Sequence, residues 1–180
     1  MRMVFDSSTL ILLAKSELLE NISEEIQILI PEMVKKECTI KDIFDARLIS
    51  ALIDKNKIKV VTADRKIVKR LCSDFKIHVG EAESLSVALK EKIPIAADDL
   101  PTIKACKILS IPFTTAIHFL IELTKKGKID KEIALIKLEK LSLYGRYNKR
   151  IINNAEKRLK EDSDVCNKHQ IKRQGDKETQ

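Results

Sequence analysis

GEAESLSVALKEKIPIAADD, residues 80–99, is the stretch whose reading decides the fold. Its first part sets Ala82, Leu85 and Ala88 on one face at helical spacing, with Gly80 ahead of them as a boundary signal. Glu81 and Glu83 fall in the opening turn, where the helix macrodipole favours negative charge. Its second part, IPIAAD, is a short run of small and β-branched residues and reads as a buried strand. That strand ends on two adjacent aspartates, Asp98 and Asp99, with Pro101 just beyond to begin another helix. A helix that feeds a buried strand and stops at acids is one unit of an α/β pattern.

The same unit repeats outward. Towards the N-terminus, MVFDSS is a short strand ending at Asp6, and TLILLAKSELLENI reads as one amphipathic helix. IQILIP is a second strand, stopped by Pro31, and PEMVKKEC a short helix. IKDIFDARLISALIDKN carries Ile43, Phe44, Leu48, Ala51 and Leu52 at helical spacing. KIKVVT is a third strand and DRKIVKRLCSDF a helix. Towards the C-terminus, DLPTIKACKILS is a helix, IPFTT a last short strand, and IHFLIELTKKGKI a helix ending near Gly127. This alternation predicts a three-layer α/β/α sandwich about a central parallel sheet. Right-handed crossovers would bring the strand ends to one edge.

Beyond Gly127 the pattern is purely helical, with apolar residues at Ile129, Ile133, Ile136, Leu138 and Leu141. YNKRIINNAEKRLKE follows, thinner in apolar residues and carrying Lys149, Arg150, Lys157 and Arg158. The expected organisation is a domain over 1–127, a helical extension over 128–161 packed on it, and a basic tail over 162–180. The tail is polar, lacks periodicity and reads as disordered. The apolar face from Ile43 to Leu52 is a candidate homodimer surface, although burial in the core is the commoner role of such a face.

Composition narrows the class. The chain is 44% hydrophobic and 34% charged, as in soluble globular proteins. No apolar run approaches the ~20 residues of a membrane span. MRMVFDSST is interrupted by Asp6 and does not read as a signal peptide, which makes a cytoplasmic location the default. Cys38, Cys72, Cys106 and Cys166 form no CxxC half-site, and His78, His118 and His169 no HxxxH pattern, which argues against structural or histidine-ligated zinc. The net charge of +7 favours a polyanionic partner such as nucleic acid.

The acids at the strand ends carry the chemistry. Asp6 precedes two serines and reads equally as a helix N-cap or as a metal ligand. Glu37 lies three residues from Val34 and borders an apolar face, where an ion pair with Lys35 or Lys36 is the ordinary explanation. Glu81 sits beside the Ala82, Leu85, Ala88 stripe while Glu83 points away from it. One of Asp98 and Asp99 can cap the next helix, which leaves the other unexplained. Close carboxylates repel unless a cation intervenes, so the set points to a divalent ion and to phosphate esters. Two rival chemistries fit poorly. A phospho-acceptor receiver, suggested by Asp64, would need its acidic pair at the first strand. A haloacid-dehalogenase phosphatase would need DxDxT where Asp6-Ser7-Ser8-Thr9 stands. There is no GxxxxGK[ST] or GxGxxG.

VFDSSTLILLAK, IPEMVKKEC, GEAESLSVALKEKIPIAADD and IPFTTAIHFLIELTKKGKI, in this order and spacing, make the chain resemble the PIN-domain family, including archaeal PIN proteins and VapC-type toxins. The resemblance covers residues 3–127 and extends towards 160. It implies a ribonuclease whose acids bind Mg²⁺ or Mn²⁺. By position, Asp6 matches the family's first acid, Glu37 the second, Glu81 the third with Glu83 as its alternate, and Asp99 the fourth. Asp98 shares that last role, and Ala97 stands where the family has threonine. The implied activity is metal-dependent endoribonucleolytic cleavage of RNA, with lysines near the pocket and the basic helix from Asn148 to Lys160 on phosphates. Seven aromatic residues in all argue against a base-stacking platform. The alternative is a non-catalytic RNA-binding or scaffold protein on the same fold. Toxins of this family pair with an antitoxin, so an antitoxin protein joins RNA among the candidate partners. The extra helices and tail lean towards a solitary or RNA-processing protein.

Overall fold

Met3, Val4 and Phe5 are buried and alternate between two sides, and that alternation makes β1 (Arg2–Phe5) the centre of a sheet covered on both faces. Met3 and Phe5 join one apolar cluster and Val4 the other. β2 (Gln27–Pro31) repeats this, with Ile28 and Ile30 on the first side and Leu29 on the second. This computed structural model describes residues 1–161, so the expected disorder of the tail falls outside the described residues.

β3 (Ile58–Val61), β4 (Ile95–Ala96) and β5 (Phe113–Thr114) complete a parallel sheet in the order β3-β2-β1-β4-β5. The chain winds outward from β1 to β3, then crosses back to β4 and on to β5. The winding reverses between β1 and β4, which is where an open α/β sheet leaves a crevice beyond its strand ends. The β1–β4 register, Val4 opposite Ile95 and Phe5 opposite Ala96, brings Asp6 level with Ala97 and beside Asp98 and Asp99.

The first face packs α1 (Ser7–Lys15), α2 (Leu19–Glu25), α3 (Glu32–Thr39), α4 (Phe44–Asp54), α8 (Ala116–Lys125) and α9 (Lys131–Tyr144). Phe5 stacks on Phe119 of α8 at 5.6 Å between ring centres. The second face packs α5 (Arg65–Phe75), α6 (Val79–Glu91) and α7 (Leu100–Ile108). The result is the expected three-layer α/β/α sandwich. Residues 149–161 are also helical. Leu138 and Leu141 of α9, and Ala155 and Leu159 beyond it, belong to the same apolar cluster as β1 and α1. Among the described residues no helix is long and apolar enough to cross a membrane.

Several expected boundaries move. TLILLAKSELLENI forms two helices, not one. The Leu18 N–H bonds Leu13 O at 2.9 Å and Glu17 adopts φ +58°, a left-handed helix termination. The Lys137 ammonium from α9 donates to Ser16 O and, at 2.8 Å, to Glu17 O, which serves the carbonyls left open there. Apolar spacing runs on unbroken through Leu18, Leu19 and Ile22, so periodicity alone does not show the break. The helix expected from Ile40 begins at Phe44 and turns Ala46, Ile49 and Leu52 to the core. Ile40, Ile43 and Phe44 stay exposed. Gly80, expected to precede its helix, lies inside the first turn of α6.

Candidate active site

Asp6 leaves β1 as the N-cap of α1, its Oδ1 accepting the Thr9 N–H at 2.8 Å and its Oδ2 the Ser8 hydroxyl at 3.1 Å. The helix N-cap reading of Asp6 is therefore met. It is 1% exposed, and burial pushes its carboxyl well above the ordinary aspartate range. The second cause is Asp99, whose carboxyl lies within hydrogen-bond reach of it. Asp99 caps α7, and its Oδ1 accepts the Thr102 N–H at 2.7 Å. Its Oδ2 is buried and meets no donor among the described residues. Two ionised carboxylates are acceptors only, so the pair needs either a shared proton or a cation between them.

Glu81 and Glu37 stand next to this pair. Glu81, in the first turn of α6, accepts the His78 N–H at 2.9 Å. Partial burial raises its carboxyl, and the charges of Asp99 and Glu37 add to the rise. Glu37 reaches across from α3 and lays its carboxylate over Gly80. A Cβ at position 80 would sit 2.8 Å from Glu37 Oε1, so Gly80 permits this approach. Asp6, Asp99, Glu81 and Glu37 are thus brought to one end of the sheet. Among the described residues, however, no group of three or more acidic, histidine or cysteine side chains is arranged around a common metal position.

Asp98 and Glu83 turn elsewhere. Asp98 Oδ2 accepts the Thr9 hydroxyl and the Ala116 N–H, each at 3.0 Å, and its Oδ1 accepts the Tyr147 hydroxyl. Burial still raises its carboxyl, against these three donors. Glu83 Oε2 accepts the Met33 N–H at 2.9 Å, which supplies the cap that α3, begun at Pro31, has no side chain of its own to make. Asp64 caps α5 at the β3 edge, away from the reversal point. The bracing roles of Thr9 and Tyr147 were missed from sequence. Thr9 carries a weak signal, three residues after Asp6, whereas nothing near Tyr147 hints at a partner 49 residues away.

The donor set is chemically hard. Burial, then the charges of Glu37, Asp6 and Asp45, push the Cys38 thiol up to about 12. Burial, then Asp99 and Asp6, do the same to Cys106. Neither is a thiolate at neutral pH, and the remaining donors are carboxylate oxygens. Such a set fits Mg²⁺ or Mn²⁺, since Mg²⁺ is held by one or two carboxylates and keeps several waters. The unpartnered Asp99 Oδ2, on a residue close to Asp6, is where that fit is best.

The fold is thus an α/β/α sandwich with acids gathered where the winding of its parallel sheet reverses. The sequence profile described as PIN domain matches residues 2–161, nearly all of the described chain, and the protein belongs to the PIN-domain family. That match runs through α9 and the helix beyond it. No curated protein matches the chain.

Proposed function

We propose that this protein is a metal-dependent endoribonuclease that hydrolyses RNA phosphodiester bonds. The observation that carries the reading is the buried Asp6 carboxyl close to Asp99, whose own Oδ2 is buried and meets no donor among the described residues. Burying two like charges in contact is costly, and a divalent ion is the partner that makes them favourable. Asp6 and Asp99 would hold the ion, with Glu37 and Glu81 close enough in charge to bind its waters. When bound, the ion supplies Lewis-acid activation of water and of the phosphate. The chain's own part is orientation: Thr9 N–H and Ser8 fix Asp6, and Thr102 N–H fixes Asp99. Asp98, with three donors, and Glu83, bound to Met33, act as braces in this reading.

The first test is calorimetric. Mn²⁺ should raise the melting temperature, with a stabilisation of about 2.7 kcal/mol at a hundred times its dissociation constant. Asp6→Asn and Asp99→Asn should each melt higher than the parent in EDTA, lose the Mn²⁺ response and abolish RNA cleavage. Cleavage that survives EDTA, or that both variants retain, would sink the reading.

A second reading has an observation in its favour. No three donors share a metal position among the described residues, and the buried Ala97 offers no hydroxyl next to the aspartates. A non-catalytic RNA-binding or scaffold protein would bind RNA without metal and yield no products. Either protein offers Ile40, Ile43 and Phe44 as an exposed apolar surface for an antitoxin or a second copy of the chain.

A further inference from the structure

A groove of about 430 Å³ lies between α8 and the helix at 149–161. Its polar lining is Thr115, His118, Asn148, Arg150, Asn154 and Arg158, and no acidic residue lines it. Arg150, Asn154 and Arg158 recur at every fourth position and so form one stripe along their helix. Two of the three lysines on that helix are engaged: Lys157 pairs with Glu161 at 3.6 Å and Lys160 with Glu156. Among the described residues neither Arg150 nor Arg158 has an acidic partner.

The groove opens beside the acids. Asn148 follows Tyr147, whose hydroxyl donates to Asp98, and Thr115 precedes Ala116, whose N–H donates to the same carboxylate. From 148 to 158 the helix runs about 15 Å at its ordinary rise. Guanidinium forks without a carboxylate partner suit phosphate oxygens, and the Asn148 and Asn154 amides suit phosphate or ribose hydroxyls. The groove's lining holds no Phe, Tyr or Trp, and a single imidazole, His118, is too little to form a stacking platform for successive bases.

We infer that this groove carries the sugar–phosphate backbone of single-stranded RNA past the acid site, held by Arg150 and Arg158 without regard to base. The inference rests on the ribonuclease reading for its substrate class and narrows the basic helix to one face. It is tested on the full chain in EDTA, with labelled uridine and adenosine homopolymers titrated across a range of salt. Arg150→Ala/Arg158→Ala should bind about tenfold more weakly, with the slope of log affinity against log salt reduced by about 1.4 for both polymers. Arg150→Lys/Arg158→Lys should keep the slope. Lys55→Ala/Lys57→Ala removes the same charge ahead of β3, at the far end of the sheet, and should change neither quantity.

Unchanged affinity and slope in the double alanine variant would overturn the inference. So would an equal loss in the Lys55/Lys57 variant, or a loss confined to one polymer. If the parent chain binds neither polymer the groove is not an RNA track, and its charge would suit an acidic protein surface instead. Binding that depends on the two arginines, with no cleavage in Mn²⁺, upholds the groove and sinks the nuclease. Cleavage with arginine-independent binding does the reverse.

Discussion

Gly80 and Glu37 show how a single missing side chain shapes the site. The Glu37 carboxylate occupies the space a Cβ at position 80 would take, and Gly80 directly precedes Glu81, another of the site's acids. Glu37 is the exposed end of a flexible side chain, so it can swing away at little cost. Gly80→Ala should therefore leave stability intact or raise it by about 0.5 kcal/mol, as expected for glycine replaced within a helix. Cleavage should nevertheless fall, because Glu37 is displaced from Glu81 and Asp99. Thermal melting alongside an RNA cleavage assay separates the two effects. A folded variant that cleaves at the parental rate would show that the close approach has no functional role, and one that unfolds would show that Glu37 cannot swing away.

At the scale of elements, two side chains join parts of the chain that are remote in sequence. Asp98 ties β4 to α1 through Thr9, to α8 through Ala116 N–H, and to the segment after α9 through Tyr147. Tyr147→Phe keeps the ring packed but leaves a buried carboxylate short of one donor, at a cost of about 1–3 kcal/mol. Urea unfolding should show a lower midpoint with an unchanged slope; an unaltered midpoint would mean that the bond contributes nothing. Glu17 joins α1 to α9. The hydrogen bond from Lys140, at 2.6 Å, is the largest cause holding its carboxyl below the usual glutamate range, and Lys137 adds to it. A lowered folded-state value means stability that is present above the ordinary glutamate value near 4.3 and lost as pH falls through the lowered one. Glu17→Gln should therefore flatten the acid limb of the stability curve, by about 0.5 kcal/mol since the pair is largely exposed.

For the whole molecule, the sheet order and the shared core set what can be removed. Leu138 is 3% exposed, and with Leu141, Ala155 and Leu159 it completes the apolar cluster that covers β1 and α1. Leu138→Ala should cost about 2–5 kcal/mol, as for other buried leucines. A chain ending at Gly127 would open that cluster to water and should be recovered aggregated or unfolded. A soluble, cooperatively melting fragment would establish the helices beyond Gly127 as an appendage. The same core fixes the crevice, because the reversal of winding between β1 and β4 leaves the ends of those two strands uncovered by a crossover.

What the sequence determined by itself was the α/β alternation and the placement of acids at strand ends. Both are local properties: apolar spacing distinguishes strand from helix within a few residues, and aspartate or proline marks where one stops. VFDSS and IPIAADD carried that information without any partner. Only the tertiary structure decided which acids meet. Adjacent in sequence, Asp98 and Asp99 diverge because Thr9, Ala116 and Tyr147 claim the first, while Thr102 N–H turns the second towards Asp6. The carbonyls at the break after Lys15 are met by Lys137 from α9, and Glu83 serves an N–H 50 residues away. A carboxylate's direction is set by the donors that reach it, and for Asp98 and Glu83 those donors come from elements that sequence spacing cannot place together.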